Sequence, residues 1–295
     1  MKVFSTLSKT QNCSKSRSIT SIQHIKTMSN LINILESESL KIIKWFDQNK
    51  MIVNPDKFQA ILIDKRSQDH TNKEIEINKQ AIKAVPSVKL LGVEIDDKLN
   101  FNTHRGNICK SASNQLSAMV RLKNYLSFEA KKTLIDSYFM SNFNYCPLVW
   151  MFSSSKSLTK IENLQKRALR FLLNDYTSTY ENLLEQANRS TMNVNRLRIL
   201  CIEIYKTINS LNPSFMKNIF KLRERSKPTR EQYKLNLDIP KHNQVTYGSK
   251  SLRLFGPKIW NSLPYHLKSA ANLKSFKSMI KNWNGTSCNC IVCTK

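Results

Sequence analysis

An α+β fold is expected from three features of this 295-residue chain. Short apolar runs with strand character cluster in residues 58–95. From residue 102 to residue 208 the apolar residues recur at helical spacing instead. Glycine (5) and proline (8) are too scarce for a loop-rich chain. Together these predict a small antiparallel sheet with a covering helix, then a mainly helical bundle, then a basic C-terminal extension. The length suits one or two domains with a sizeable core.

Residues 1–28 are rich in Ser, Thr and Lys and are expected to form a disordered basic tail. Residues 29–105 form the first folded part. Leu31, Ile34, Leu35, Ile42, Trp45 and Phe46 fall at helical spacing behind a Ser29 or Asn30 cap, predicting a helix over 31–48. Asn54-Pro55-Asp56 breaks it. Phe58–Ile63 reads as a buried strand, Glu74–Asn78 as a half-exposed one, and Ile82–Val85 and Val88–Ile95 as two more.

The next part is residues 106–212. Ile108, Ala112, Leu116, Met119 and Leu122 make one helical stripe, and a second helix runs from Phe128 to Asn142. Leu158, Ile161, Leu164, Ala168, Leu169 and Leu172 make a third, Leu183 to Ala187 a short one, and Val194 to Ile208 another. The extension, residues 213–295, begins with a polar stretch over 222–242 that reads as a mobile linker. Val245–Phe255 reads as a strand or extended arm. Gly256-Pro257 opens a short helix with Trp260, and Leu273, Phe276, Ile280 and Trp283 mark the last helix.

Charge locates the function. Lysine and arginine number 47 against 21 acidic residues, a formal net charge of +26. Basic and acidic residues number 5 and 0 over 1–28, 12 and 11 over 29–105, 14 and 7 over 106–212, and 16 and 3 over 213–295. The excess is regional, which points to a polyanion, nucleic acid first, rather than a uniformly solubilised surface. No run approaches the roughly 18 apolar residues of a membrane span, and no apolar segment follows Lys2 and Lys9 as a secretory signal requires. The cysteine pattern suits a reduced compartment, so the expected location is intracellular, cytoplasmic or nuclear.

Several motifs carry chemistry. In Trp45-Phe46-Asp47-Gln48-Asn49-Lys50-Met51-Ile52-Val53-Asn54-Pro55-Asp56-Lys57-Phe58, a lysine at a helix-to-strand turn can meet phosphate, or simply face solvent. About 35 residues on, Leu90-Leu91-Gly92-Val93 places a glycine where another backbone can approach closely. Asp96-Asp97 is the pair that two-metal phosphoryl transfer would use, but its place after this strand and before Lys98 reads as a turn. Lys160, Lys166, Arg167 and Arg170 lie along one long helix, and Arg196 and Arg198 on another, as outward basic groups suited to phosphate contacts. Cys288, Cys290 and Cys293 offer three soft ligands where zinc needs four.

The first two motifs and the Ser87–Phe101 stretch resemble the late palm of reverse transcriptases of non-LTR (LINE-like) retrotransposons. Tyr138, Phe139, Phe143, Tyr145, Cys146, Pro147, Leu148 and Trp150 resemble a segment linking two thumb helices, though aromatics this dense also read as core. Tyr247, Leu254–Pro264 and Phe276-Lys277 resemble the C-terminal extension of animal non-LTR elements. The resemblance implies RNA-directed DNA polymerase ancestry with Mg²⁺ in the full family. It implies Lys57 near the leaving pyrophosphate and Leu91 and Gly92 at the primer grip. The family's aromatic-Ala-Asp-Asp turn is absent from this sequence. The expectation is therefore a truncated, inactive polymerase fragment without its own cofactor, holding RNA or an RNA–DNA hybrid through backbone contacts. A host-retained basic helical interaction module and a polymerase fragment completed by a second chain are the alternatives.

Overall fold

The computed structural model describes residues 2–8, 18–24, 28–63, 73–77, 80–223, 235–241 and 251–285. The chain divides into two compact units, Met1–Gly106 and Asn107–Lys295. It is an α+β protein with small antiparallel sheets and a mainly helical remainder.

In the first unit, β1 (Lys2–Ser8) pairs antiparallel with β2 (Ser18–His24) on one side and with β3 (Gln59–Ile63) on the other. Phe4 stands opposite Ile22 and Ile61 in the two registers. Over residues 2–8 and 18–24 this corrects the expectation of a disordered tail over 1–28; residues 1, 9–17 and 25–27 of that tail lie outside the described residues. The hydroxyl-rich composition conceals strand formers, since Val3, Thr6, Ile19, Thr20 and Ile22 are β-branched and suit cross-strand pairing. β1 also covers an edge of β3 that would otherwise stand open.

β3 reads as a continuous apolar run because both its faces are covered. Ala60 and Leu62 pack with Leu35, Ile43 and Ile75, while Ile61 and Ile63 pack with Val88. Leu35 and Ile43 come from α1 (Met28–Gln48), which buries Leu35, Ser39, Ile43 and Phe46. The stripe is rotated from the one expected, leaving Trp45 46% exposed. Small Ser39 fits beneath the helix, so a polar residue marks the buried face. Glu36 Oε1 accepts the N–H of Glu76 at 3.0 Å, tying α1 to β4 (Glu74–Ile77), which pairs with β5 (Gln80–Lys83).

The expected strand over 88–95 is instead a hairpin of β6 (Ser87–Leu90) and β7 (Val93–Asp96). Leu91 and Gly92 take φ of 47° and 85°, the two positive values that a tight two-residue turn needs. Asp96 then organises the following turn, its carboxylate accepting from the N–H groups of Lys98 (3.1 Å), Asn100 (2.9 Å) and Phe101 (2.6 Å).

α2 (Asn102–Arg121) runs from the first unit into the second. There α3 (Phe128–Leu134), a π-helical turn (Ile135–Phe139) and α4 (Met140–Asn144) replace the single helix expected over 128–142. Ile135 and Phe139, at the two ends of the π turn, both lie in the core. With them pack Leu116 of α2, Trp150, and Ile161 and Ala168 of α5 (Ser155–Leu173). Tyr138 and Tyr145 of the aromatic segment face solvent, so only part of it is core.

A second core joins α7 (Met192–Ile208) to the C-terminal region. Leu200 and Ile204 pack with Phe255 and Trp260 of α8 (Leu252–Ser262) and with Phe276 of α10 (Leu273–Ile280); the short α9 (Tyr265–Lys268) lies between. The described helices of the extension therefore share a core with α7. Leu252–Phe255, expected as an extended arm, open α8, with Pro257 inside the helix. The ends of the expected linker are pinned as well. Leu237 lies in the core, its N–H and C=O both held by the Asn261 amide at 2.7 and 3.0 Å. Residues 224–234 and 242–250 lie outside the described residues.

Candidate nucleic-acid interface

The basic face is built on α5. Its apolar residues Ile161, Leu164, Ala168, Phe171 and Leu172 enter the core. At about 100° per residue, Lys156, Lys160, Asn163, Arg167 and Arg170 then fall within one arc of about 80° that flanks the buried face. Lys156, Lys160 and Arg167 are exposed, and Lys166 and Arg170 half-buried. From Lys156 to Arg170 the stripe is about 21 Å long. None of these five cations forms an ion pair with a carboxylate among the described residues. The one acidic residue of α5, Glu162, is turned toward α6 (Tyr180–Gln186) and α7 and is fully used there.

Arg167 Nη1 reaches the Ser113 hydroxyl at 3.5 Å, so the α2 face carrying Lys110, Ser113 and Arg121 adjoins the stripe. Lys110 and Arg121 are exposed. At the C-terminal end of α5, Lys123 lies 5.7 Å from the ring centroid of exposed Tyr176. Sequence reading did not single out Lys110, Arg121 or Lys156. Their helical phase was available, but nothing in it said that α2 and α5 lie side by side.

Two of the expected outward arginines are not outward. Arg196 is 4% exposed, its guanidinium 4.9 Å from the Trp150 ring centroid. Nη2 donates to Asn193 Oδ1 at 3.1 Å, while Nε and Nη1 have no partner among the described residues. Burial lowers its pKa to about 10, with the Glu162 carboxylate opposing that shift. Arg198 is half-buried and clamps the C-terminal segment, with Nε on the Trp283 carbonyl at 2.9 Å and Nη2 on Asn284 Oδ1 at 3.3 Å. A helix that is covered on several sides has little outward face, and both arginines fall on covered sides.

In the first unit, Lys57 is exposed at the end of the 3-10 turn Pro55–Lys57, where the Asn54 side chain accepts the Asp56 N–H at 2.9 Å. Leu91 projects at the β6–β7 tip, 73% exposed beside exposed Gly92. The three cysteines Cys288, Cys290 and Cys293 lie outside the described residues. Among the described residues no group of three or more His, Cys, Asp or Glu side chains is placed to hold a metal, and no helix is long and apolar enough to cross a membrane. Asp96 is committed to backbone N–H groups, a geometry that suits a turn. No family model matches the chain, and neither a curated protein nor a solved structure does.

Proposed function

We propose that this chain binds the backbone of RNA or an RNA–DNA hybrid as a fragment related to non-LTR reverse transcriptases, without polymerising by itself. The observation that supports this best is the α5 stripe of Lys156, Lys160, Arg167 and Arg170, set beside Lys110 and Arg121 and free of acidic side chains. Lysine and arginine on helices contact phosphates without reading base edges, so binding is sequence-tolerant. A stripe of about 21 Å is long enough to meet several successive phosphates. Lys57 and the Leu91–Gly92 tip are exposed in the first unit. Polymerase ancestry rests on the quoted sequence motifs.

The test is fluorescence-anisotropy binding of the full chain to an RNA–DNA hybrid across a salt series, with primer extension on the same samples. Binding that weakens steeply with salt, without extension, supports the reading. Salt-insensitive or absent binding at low salt would instead favour a protein-interaction module. Extension after adding a second polymerase fragment would favour completion in trans.

A further inference from the structure

Away from the α5 stripe, a groove of about 600 Å³ lies in the second unit, lined from α5, α6, the α6–α7 connection, α7 and residues 281–284. Its size is that of a small-ligand site, yet its lining is mostly polar. Three cations line it, Arg189, Arg198 and Lys281, against the single carboxylate of Glu185. Asp136 holds one corner of Arg189, Nη2 to Oδ1 at 2.7 Å. Lys281 is exposed and forms no ion pair among the described residues.

Hydrogen-bond polarity sharpens the chemistry. Arg198 occupies the side-chain oxygens of Asn195 (3.4 Å) and Asn284 (3.3 Å), so each amide keeps its NH₂ donors. The Ser190 carbonyl already accepts from Gln165 Nε2 at 3.0 Å. Donors therefore outnumber free acceptors, and a donor-rich cationic groove selects an acceptor-rich anion. A bare phosphate would leave most of the volume empty. Asn188 and Asn282 also line the groove, and carboxamides match the donor–acceptor edge of a nucleobase.

We infer that this groove binds a 5′-nucleotide, its phosphate monoester on Arg189 and Lys281 and its base edge against the asparagine amides. Arg198 is a positioning residue here, because it orients Asn195 and Asn284 and fastens the 281–284 rim to α7. The ligand is a free nucleotide or the 5′-phosphorylated end of a strand.

The full chain is titrated by calorimetry with AMP, UMP, adenosine and ribose 5-phosphate. The nucleotides are expected to bind more tightly than either adenosine or ribose 5-phosphate. Lys281→Gln should weaken nucleotide binding about tenfold, the loss of one charge-assisted hydrogen bond. Lys258→Gln, on an exposed face of α8, should leave it unchanged. A 5′-phosphorylated trinucleotide compared with its 5′-hydroxyl form separates the sources. Preference for the phosphorylated end assigns the site to strand termini, and binding of mononucleotides alone assigns it to free nucleotides. Adenosine binding as well as AMP, ribose 5-phosphate binding as well as AMP, or no effect of Lys281→Gln overturns the inference.

Discussion

Tyr180 donates its phenolic hydrogen bond to Glu162 at 2.5 Å, and the same carboxylate accepts the first amide groups of α7, Met192 N at 3.2 Å and Asn193 N at 2.9 Å. The phenolic proton is shared with Gln165 Oε1 at 2.7 Å. One acidic side chain thus joins α5, α6 and α7, and its charge meets the positive end of the α7 dipole. Burial, then Glu162, push the Tyr180 pKa well above the usual phenol value.

Glu162→Ala should therefore cost about 1.5–3 kcal/mol, the range for hydrogen bonds to a charged group, and Tyr180→Phe about 1 kcal/mol. Urea denaturation of the two single variants and the double variant checks this. The pair shares one network, so the double variant should lose less than the sum. Strict additivity would mean that the two side chains act separately.

At Gly256 an added Cβ would sit 2.7 Å from Phe220 Cε1 and 3.3 Å from Ile204 Cδ1. Phe220 is itself core, so the ring has little room to withdraw. Gly256→Ala is expected to destabilise by about 1–3 kcal/mol. Thermal melts check this, and adding Phe220→Leu should recover part of the loss.

His104 sits in the first turn of α2 with Nδ1 accepting the Glu94 N–H at 3.4 Å, and Nε2 has no partner among the described residues. Burial is the largest influence and lowers its pKa below 6.5, Glu94 opposing and Lys89 adding to the shift. The unfolded chain then binds more protons than the folded one as the medium is acidified. The stability tied to a neutral His104 is complete above pH 6.5 and falls as pH drops through the lowered pKa. Urea midpoints between pH 7.5 and 5 should decline, and His104→Gln should decline less. Parallel curves for the two proteins would exclude the histidine as the source.

Charge reversal on the stripe separates the two kinds of arginine. Lys160→Glu with Arg167→Glu should reduce the slope of log affinity against log salt by about 2, close to one unit per phosphate contact removed. Arg196→Met should leave the slope unchanged. The shorter Met gives up the Trp150 contact and the Asn193 hydrogen bond but removes a buried charge and two buried nitrogens without partners among the described residues, so stability should change little. A changed slope for Arg196→Met would place that arginine at the nucleic acid after all.

Much of the fold was legible in the residues. The apolar run at Ala60–Ile63 predicted its strand by its short length and bounding turn residues, and the stripe Ile161, Leu164, Ala168 and Leu172 predicted its helix by its period. Residues 2–8 and 18–24 were misread because hydroxyl-rich strands look like tails in composition, and β1 pairs with a partner, β3, that lies far along the chain. The Leu91–Gly92 turn was missed because a non-glycine residue there takes a positive φ.

The sequence alone determined the α+β order of elements, the regional excess of charge, and the alignment of Lys160, Arg167 and Arg170, because helical phase is a local property. Only the tertiary structure decided which phases face water. It buried Arg196 against Trp150, turned Arg198 into a clamp on Trp283 and Asn284, and brought Lys281 to one groove with Arg189. Periodicity states which residues share a face. What covers that face is set by packing between segments that can be some 90 positions apart, and no local pattern carries that information.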